Sequence, residues 1–263
     1  MDLQLTDRVF IVTAASGGLG FATAQSLVAE GARVVLVARR EEVLAERVSE
    51  LGGDAHAIAV TGDLTDPATP VRACEAARDT WDRLDGAFIS VGGPPAGLVG
   101  TNTDDEWRQG FESVFLATVR TIDTVLEHTG AATGYDPCGK GGPVIGLVLS
   151  SSVRVPIGNL TISNGLRPGL ANLVSQYATR FGPVGARFFG LMPGNIMTDR
   201  FRSVLDMESD PKKAQCAAEG RIPLGRIGDP KEFGDVAAFL MSPMASYVTG
   251  CVVPVDGGML PMA

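Results

Sequence analysis

The sequence predicts an α/β protein: a doubly wound parallel sheet of about seven strands, formed as a single domain over residues 1–263. Three observations carry this expectation. Short apolar runs alternate with helix-length segments, the pattern of βαβ units. The runs are continuous rather than alternating in polarity, as in strands covered by helices on both faces. No internal repeat or long linker interrupts the alternation.

The first strand is "RVFIVTA" (8–14), followed by the helix "GLGFATAQSLVAE". "RVVLVA" (33–38) is the second strand, and "EEVLAERVSEL" the helix after it. "AHAIAV" (55–60) and "GAFISV" (86–91) flank the helix "VRACEAARDTWDRL". The long segment "TDDEWRQGFESVFLATVRTIDTVLEH" reads as one helix, and the Gly-rich 129–143 as a surface loop. "PVIGLVLS" (143–150), "ARFFGLM" (186–192) and "CVVPV" (251–255) complete the strands, with the helix "GLANLVSQYATRF" between the first two of these. All the helical segments space their apolar residues by three and four. Segment 197–221 follows the C-terminal end of a strand, where ligands bind in open sheets, and reads either as a lid or as a pair of packed surface helices. Phe201, Met197, Leu205 and Met207 would be its apolar side chains.

Composition excludes several classes. A net charge of −8 disfavours nucleic acid and anionic membranes, and no apolar run is long enough to span a bilayer. Cys74, Cys138, Cys216 and Cys251 are scattered, as expected of reduced thiols in a cytoplasmic protein. With His56 and His128 the only histidines, no His-based metal site is expected. The acidic start "MDLQLTD" is not a signal peptide.

The chemistry begins at "TAASGGLG" (13–20). A strand, a Gly-rich turn and a helix aim backbone N–H groups at a pyrophosphate, the Rossmann arrangement. Thr13, Ser16, Gly18, Leu19 and Gly20 are the candidate contacts. At the end of the second strand, Ala38 stands where an acid would select NAD, and Arg39 and Arg40 follow. A guanidinium fork suits a 2′-phosphate, so NADP(H) is favoured over NAD(H); the alternative is a solvated Arg pair. In "GDLTD", Asp63 either accepts from an adenine amino group, with Leu64 beside it, or only opens a helix.

These motifs, with "LSSS", "MPGNIMT" (192–198) and the tail 222–258, resemble the short-chain dehydrogenase/reductase family over nearly the whole chain. The resemblance implies that Pro193, Gly194, Ile196 and Thr198 line a nicotinamide pocket, with Gly92 on its other side. It also implies a homodimer or homotetramer built on helices 103–128 and 164–181, acting on a small-molecule substrate.

The departures from the family lie at the reactive end. Ala14 replaces a Gly, which a small side chain tolerates if φ stays negative. "ISVGGPPAG" replaces the usual Asn-Asn-Ala-Gly stretch, Pro94 and Pro95 stiffening it, and Val114 stands at the position of the network Asn. Ser163 and Arg167 occupy the Tyr and Lys positions. Ser150, thirteen residues before Ser163, matches the catalytic Ser, with Ser151 and Ser152 as register alternatives. A serine hydroxyl is a far weaker acid than a phenol of pKa about 10. Arg167 can hold ribose hydroxyls and stabilise an oxyanion but cannot shuttle protons. Because Pro168 belongs in a helix's first turn, the helix is expected to start near Ser163 or Asn164, and Ser163 is either cap or catalyst. Tyr177 lies about 20 Å further along that helix; Tyr247 is expected to pack, and Tyr135 falls in the Gly-rich loop.

The favoured function is therefore an NADP(H)-dependent oxidoreductase acting on a carbonyl, alcohol or activated C=C, with Ser150, Ser163 and Arg167 as catalytic candidates and no metal. The alternatives are a weakly active NADP(H)-binding sensor or regulatory subunit, and a dehalogenase-like lyase.

Overall fold

The structure is a computed structural model that describes residues 1–133 and 142–260. Seven strands form one sheet: β1 (Val9–Thr13), β2 (Arg33–Ala38), β3 (Ala57–Thr61), β4 (Gly86–Ile89), β5 (Val144–Val148), β6 (Arg187–Pro193) and β7 (Cys251–Val255). Their order is β3-β2-β1-β4-β5-β6-β7, and every pairing is parallel. The doubly wound sheet expected from the sequence is present. Its order reverses between β1 and β4, which opens a crevice at the C-terminal ends of those strands.

Alternate residues of the central strands feed two cores. Phe10, Val12, Leu36, Phe88 and Phe189 pack against α1 (Gly18–Ala29) and α9 (Pro230–Met241). On the opposite face Ile11, Val35, Ile89, Ile145 and Phe188 meet α3 (Ala68–Trp81), α5 (Ala117–His128) and α6 (Thr161–Phe181). Continuous apolar runs in the sequence follow from this two-sided burial. β3, at the sheet edge, alternates in burial instead and begins two residues later than expected.

Three elements differ from expectation. The segment 103–128 is α4 (Asp104–Gly110) and α5 joined by a π-helical stretch, Phe111–Leu116, with Val114 fully buried in it. Helix α6 starts at Thr161 rather than at Ser163 or Asn164, so Pro168 lies inside it and neither Ser163 nor Asn164 caps it. Tertiary bonds fix this earlier start: Thr161 Oγ1 donates to the Gly97 carbonyl at 3.0 Å, and the Asn164 amide brackets Ile157, accepting from its N–H and donating to its carbonyl. Tyr247, expected to pack, is fully exposed, because the turn between α9 and β7 points it outward.

Segment 197–221 contains α7 (Asp199–Asp206) and α8 (Pro211–Glu219). They close a small apolar cluster of Leu205, Ile222 and Ile227, against which Met197 and Phe201 pack; Met207 stays exposed. Helix α2 (Glu41–Glu50) completes the layer beside β2. No helix among the described residues is long and apolar enough to cross a membrane.

Candidate functional site

The Gly-rich turn after β1 is shaped by close backbone approach. A Cβ on Gly20 would lie 2.7 Å from the Thr13 carbonyl oxygen, so only Gly lets α1 lean on the strand end. Gly18 has φ +57° and faces Thr198 Cγ2, 3.8 Å from where its Cβ would be. The turn and the start of α7 are thus two walls of one crevice. Ala14 has φ +49°, against the negative φ expected of a non-Gly residue there; this left-handed conformation costs about 1 kcal/mol.

Thr13 is not free to face a ligand. It is buried, its Oγ1 donates to the Ser90 carbonyl at 2.6 Å, and it accepts from the Ser90 N–H at 2.9 Å. Its hydroxyl ties β1 to the segment after β4. Leu19 and Leu64 pack against the two cores.

At the outer end of the crevice, guanidinium groups gather around Ser16. Arg40 Nη2 donates to Ser16 Oγ at 3.2 Å, and Arg47 Nε to the Ser16 carbonyl at 3.4 Å while its head covers the Phe21 ring. Arg39 is 79% exposed, with only a loose 3.8 Å approach to Asp63. The Thr65 backbone N–H bound to Asp63 holds its carboxyl below the usual range, helped by the Thr65 hydroxyl and Arg39. Arg47 was not singled out in the sequence, although it lies seven residues after Arg40 and so on the same helical face.

The reactive end is built by β5 and α6. Ser163 is the third residue of α6, and Arg167, four residues on, shares its face. Both are nearly fully buried. Of the three serines after β5, Ser152 reaches Ser163, with the two hydroxyl oxygens 3.2 Å apart. Ser150 instead caps the short turn Ser151–Val153, accepting from the Ser152 N–H at 3.1 Å. Of the three register alternatives, it is therefore Ser152 whose hydroxyl meets Ser163, while the Ser150 hydroxyl is engaged in the turn.

Arg167 donates through Nη1 to the Val148 carbonyl, and its buried Nε has no partner. Burial first, and repulsion from Arg200 second, push its pKa down to about 10. A buried guanidinium with an unmet donor is suited to hydroxyl or anionic oxygens. Together with the glycine cradle and the arginines around Ser16, it makes the crevice fit a phosphorylated dinucleotide.

The remaining family positions lie at the end of β6, at the start of α7 and in the segment after β4. Gly194 donates its N–H to the Val255 carbonyl at 3.0 Å, and Pro193 ends β6. Ile196 is buried in a bridge to Gly228. Thr198 caps α7, its hydroxyl accepting from the Phe201 N–H at 3.3 Å. Gly92 lies open, whereas a Cβ on its neighbour Gly93 would collide with the Arg200 guanidinium. Other tyrosines stand apart: Tyr177 donates to Asp123 at 2.7 Å, and burial pushes its phenol up. Tyr135 lies outside the described residues.

Known proteins match this chain along its length. The family model described as enoyl-(acyl carrier protein) reductase matches residues 13–260. Levodione reductase of Leifsonia aquatica is 30% identical, over 97% of this chain and 95% of its own. L-Sorbose reductase of Gluconobacter frateurii, solved with NADPH and L-sorbose, superposes with a TM-score of 0.90 at 26% identity and full coverage of both chains. An NADPH-bound short chain oxidoreductase of Pseudomonas aeruginosa PAO1, described as containing an atypical catalytic center, is 27% identical with a TM-score of 0.86, covering 98% of this chain and 100% of that one. The sheet order, the glycine-cradled crevice and these matches together place the chain in the short-chain dehydrogenase/reductase family.

Proposed function

We propose that the protein is an NADP(H)-dependent oxidoreductase that reduces a carbonyl or an activated C=C, or oxidises the corresponding alcohol, with serine in the place of the usual phenol. The observation that carries this reading is the buried Ser152–Ser163 hydroxyl pair, with the buried Arg167 four residues on along the same helix. The reduced nicotinamide, when bound, supplies hydride.

Each residue then has a task. Arg39 and Arg40, with Arg47 behind them, meet a 2′-phosphate at the end of β2, where Ala38 stands in place of an acid. Gly18, Gly20 and Ser16 admit the pyrophosphate, and Pro193, Gly194, Ile196 and Thr198 form the wall beside the nicotinamide. Arg167, whose buried Nε–H lacks a partner among the described residues, serves the nicotinamide ribose. Ser152 donates to the substrate oxygen and fixes its distance from Ser163. Ser163 passes a proton to the developing alkoxide. An alkoxide is itself strongly basic, so a weak acid suffices late in the reaction, and the Arg167 charge stabilises the oxyanion until then.

NADPH in the L-sorbose reductase and in the Pseudomonas oxidoreductase supports the cofactor assignment. Segment 197–221 serves as the lid, since Thr198 already lies against the Gly-rich turn. The protein assembles as a homodimer or homotetramer through the faces of α4, α5 and α6, where the stacked Phe111 and Phe115 leave Phe111 partly exposed. A panel of ketones and enones, followed by loss of NADPH absorbance, tests the chemistry. With any substrate turned over, Ser163→Ala is expected to lower kcat by about 100-fold with NADPH affinity unchanged. An unaltered kcat removes Ser163 from the reaction.

A further inference from the structure

One charged group at the reactive end has no task in this scheme. Arg200, the second residue of α7, leans back across the crevice until its guanidinium lies against Gly93 in the loop after β4. The contact is so close that any side chain at Gly93 would collide with it. Arg200 has no hydrogen bond or ion pair among the described residues, and its charge is near enough to Arg167 to press on it. Arg167 in turn has a buried donor without a partner. Two guanidinium groups thus lie within electrostatic reach of one another, one four residues after Ser163 on α6 and the other against Gly93, in a chain whose net charge is −8, and neither has a carboxylate partner among the described residues.

The two arginines differ in setting. Arg167 is nearly fully buried, four residues after Ser163 on α6. Arg200 is exposed at the rim, on the segment read as the lid, with its planar head presented over Gly93. Such an arrangement disfavours a cationic substrate and leaves one guanidinium fork free at the mouth. A single fork matches a single carboxylate through two parallel N–H···O bonds.

We propose that Arg200 binds a carboxylate of the substrate, so that the protein acts on a carbonyl or enone compound carrying its own carboxylate near the reacting group. The inference rests on the oxidoreductase reading above and narrows it. The carboxylate is a handle: it orients the substrate between the rim and Ser152 and takes no part in bond making. Arg200 is a specificity-determining residue, distinct from the groups that act on the reacting atoms.

Benzoate and its neutral isostere benzamide probe this directly. The full-length protein is first saturated with NADPH, each probe is titrated calorimetrically, and both titrations are repeated with Arg200→Gln and Arg200→Lys. Benzoate is expected to bind about tenfold or more tightly than benzamide. Arg200→Gln is expected to abolish that preference while NADPH affinity stays within about twofold, and Arg200→Lys to retain part of it. Equal binding of the two probes by the wild type, no binding of either, or an intact preference in Arg200→Gln overturns the inference. So does a tenfold or greater loss of NADPH affinity in Arg200→Gln, which would assign the guanidinium to the cofactor's phosphates. Failure of the wild type to bind NADPH at all would overturn the oxidoreductase reading itself, a result separate from any outcome with the probes.

Discussion

Two arginines, Arg167 buried and Arg187 half-buried, show how the same side chain serves opposite ends. Arg187 donates to the carbonyls of Leu240, Ala245, Val248 and Ser242, closing the C-terminal end of α9 and the turn after it. Arg167 satisfies one carbonyl and leaves Nε bare. Burial pushes both down to about 10, but only Arg187 is compensated by its partners. For Arg167 the folded value lies below the unfolded one. The unfolded chain therefore binds more protons between the two values, so the penalty is full at neutral pH and is relieved as pH rises past about 10. Arg167→Met is expected to raise stability at neutral pH by about 1–3 kcal/mol in urea denaturation while weakening NADPH binding at least tenfold. Ala14, held at φ +49°, is a smaller strain of the same kind. Ala14→Gly is expected to stabilise the fold by about 0.5–1 kcal/mol, read as an upward shift in the urea midpoint. The types of these residues are legible in the sequence, but their partners are not. Spacing selects Ser150, yet the turn after β5 sends Ser152 to Ser163, and nothing local to the sequence reports that choice.

Helix α6 illustrates what element-level reasoning captures and misses. Its existence follows from apolar spacing, and a later start follows from the rule that proline disfavours a helix interior. The structure extends the helix backward through Thr161, whose anchor lies in the loop after β4, 64 positions earlier in the chain. Contacts of that range are invisible to a propensity argument. Gly165 and Gly169 have a packing reason within the helix: Trp107 and Phe115 press so close that a Cβ at either position would lie 2.9–3.0 Å from the nearer ring. Pro168 remains a local cost, since it withdraws the N–H that would bond Asn164. Pro168→Ala is expected to raise the thermal midpoint, with a gain on the order of 1–3 kcal/mol; an unchanged midpoint would mean that the surrounding contacts already absorb the proline. The π-helical stretch at Phe111–Leu116 leaves no trace in the hydrophobic pattern, because the residues on either side keep the same buried face.

At the scale of the whole molecule, sheet order places the crevice and charge fills it. Continuous apolar runs separated by helix-length segments were enough to anticipate seven parallel strands, since two-sided burial writes itself into composition. The same reading located the crevice, because the Gly-rich turn must follow the first strand at the point where strand order reverses. It did not find Arg47 or Arg200, which reach the crevice only through the packing of α2 and the fold-back of α7. A chain with net charge −8 that gathers Arg39, Arg40 and Arg47 at one end of the crevice and Arg167 and Arg200 at the other is organised around anions. The most direct test of the central claim is a fluorescence titration of the protein with NADPH and with NADH. The account predicts that NADPH binds at least about tenfold more tightly than NADH, with the difference lost in Arg39→Ala. Equal affinity for the two, or binding of neither, would contradict it.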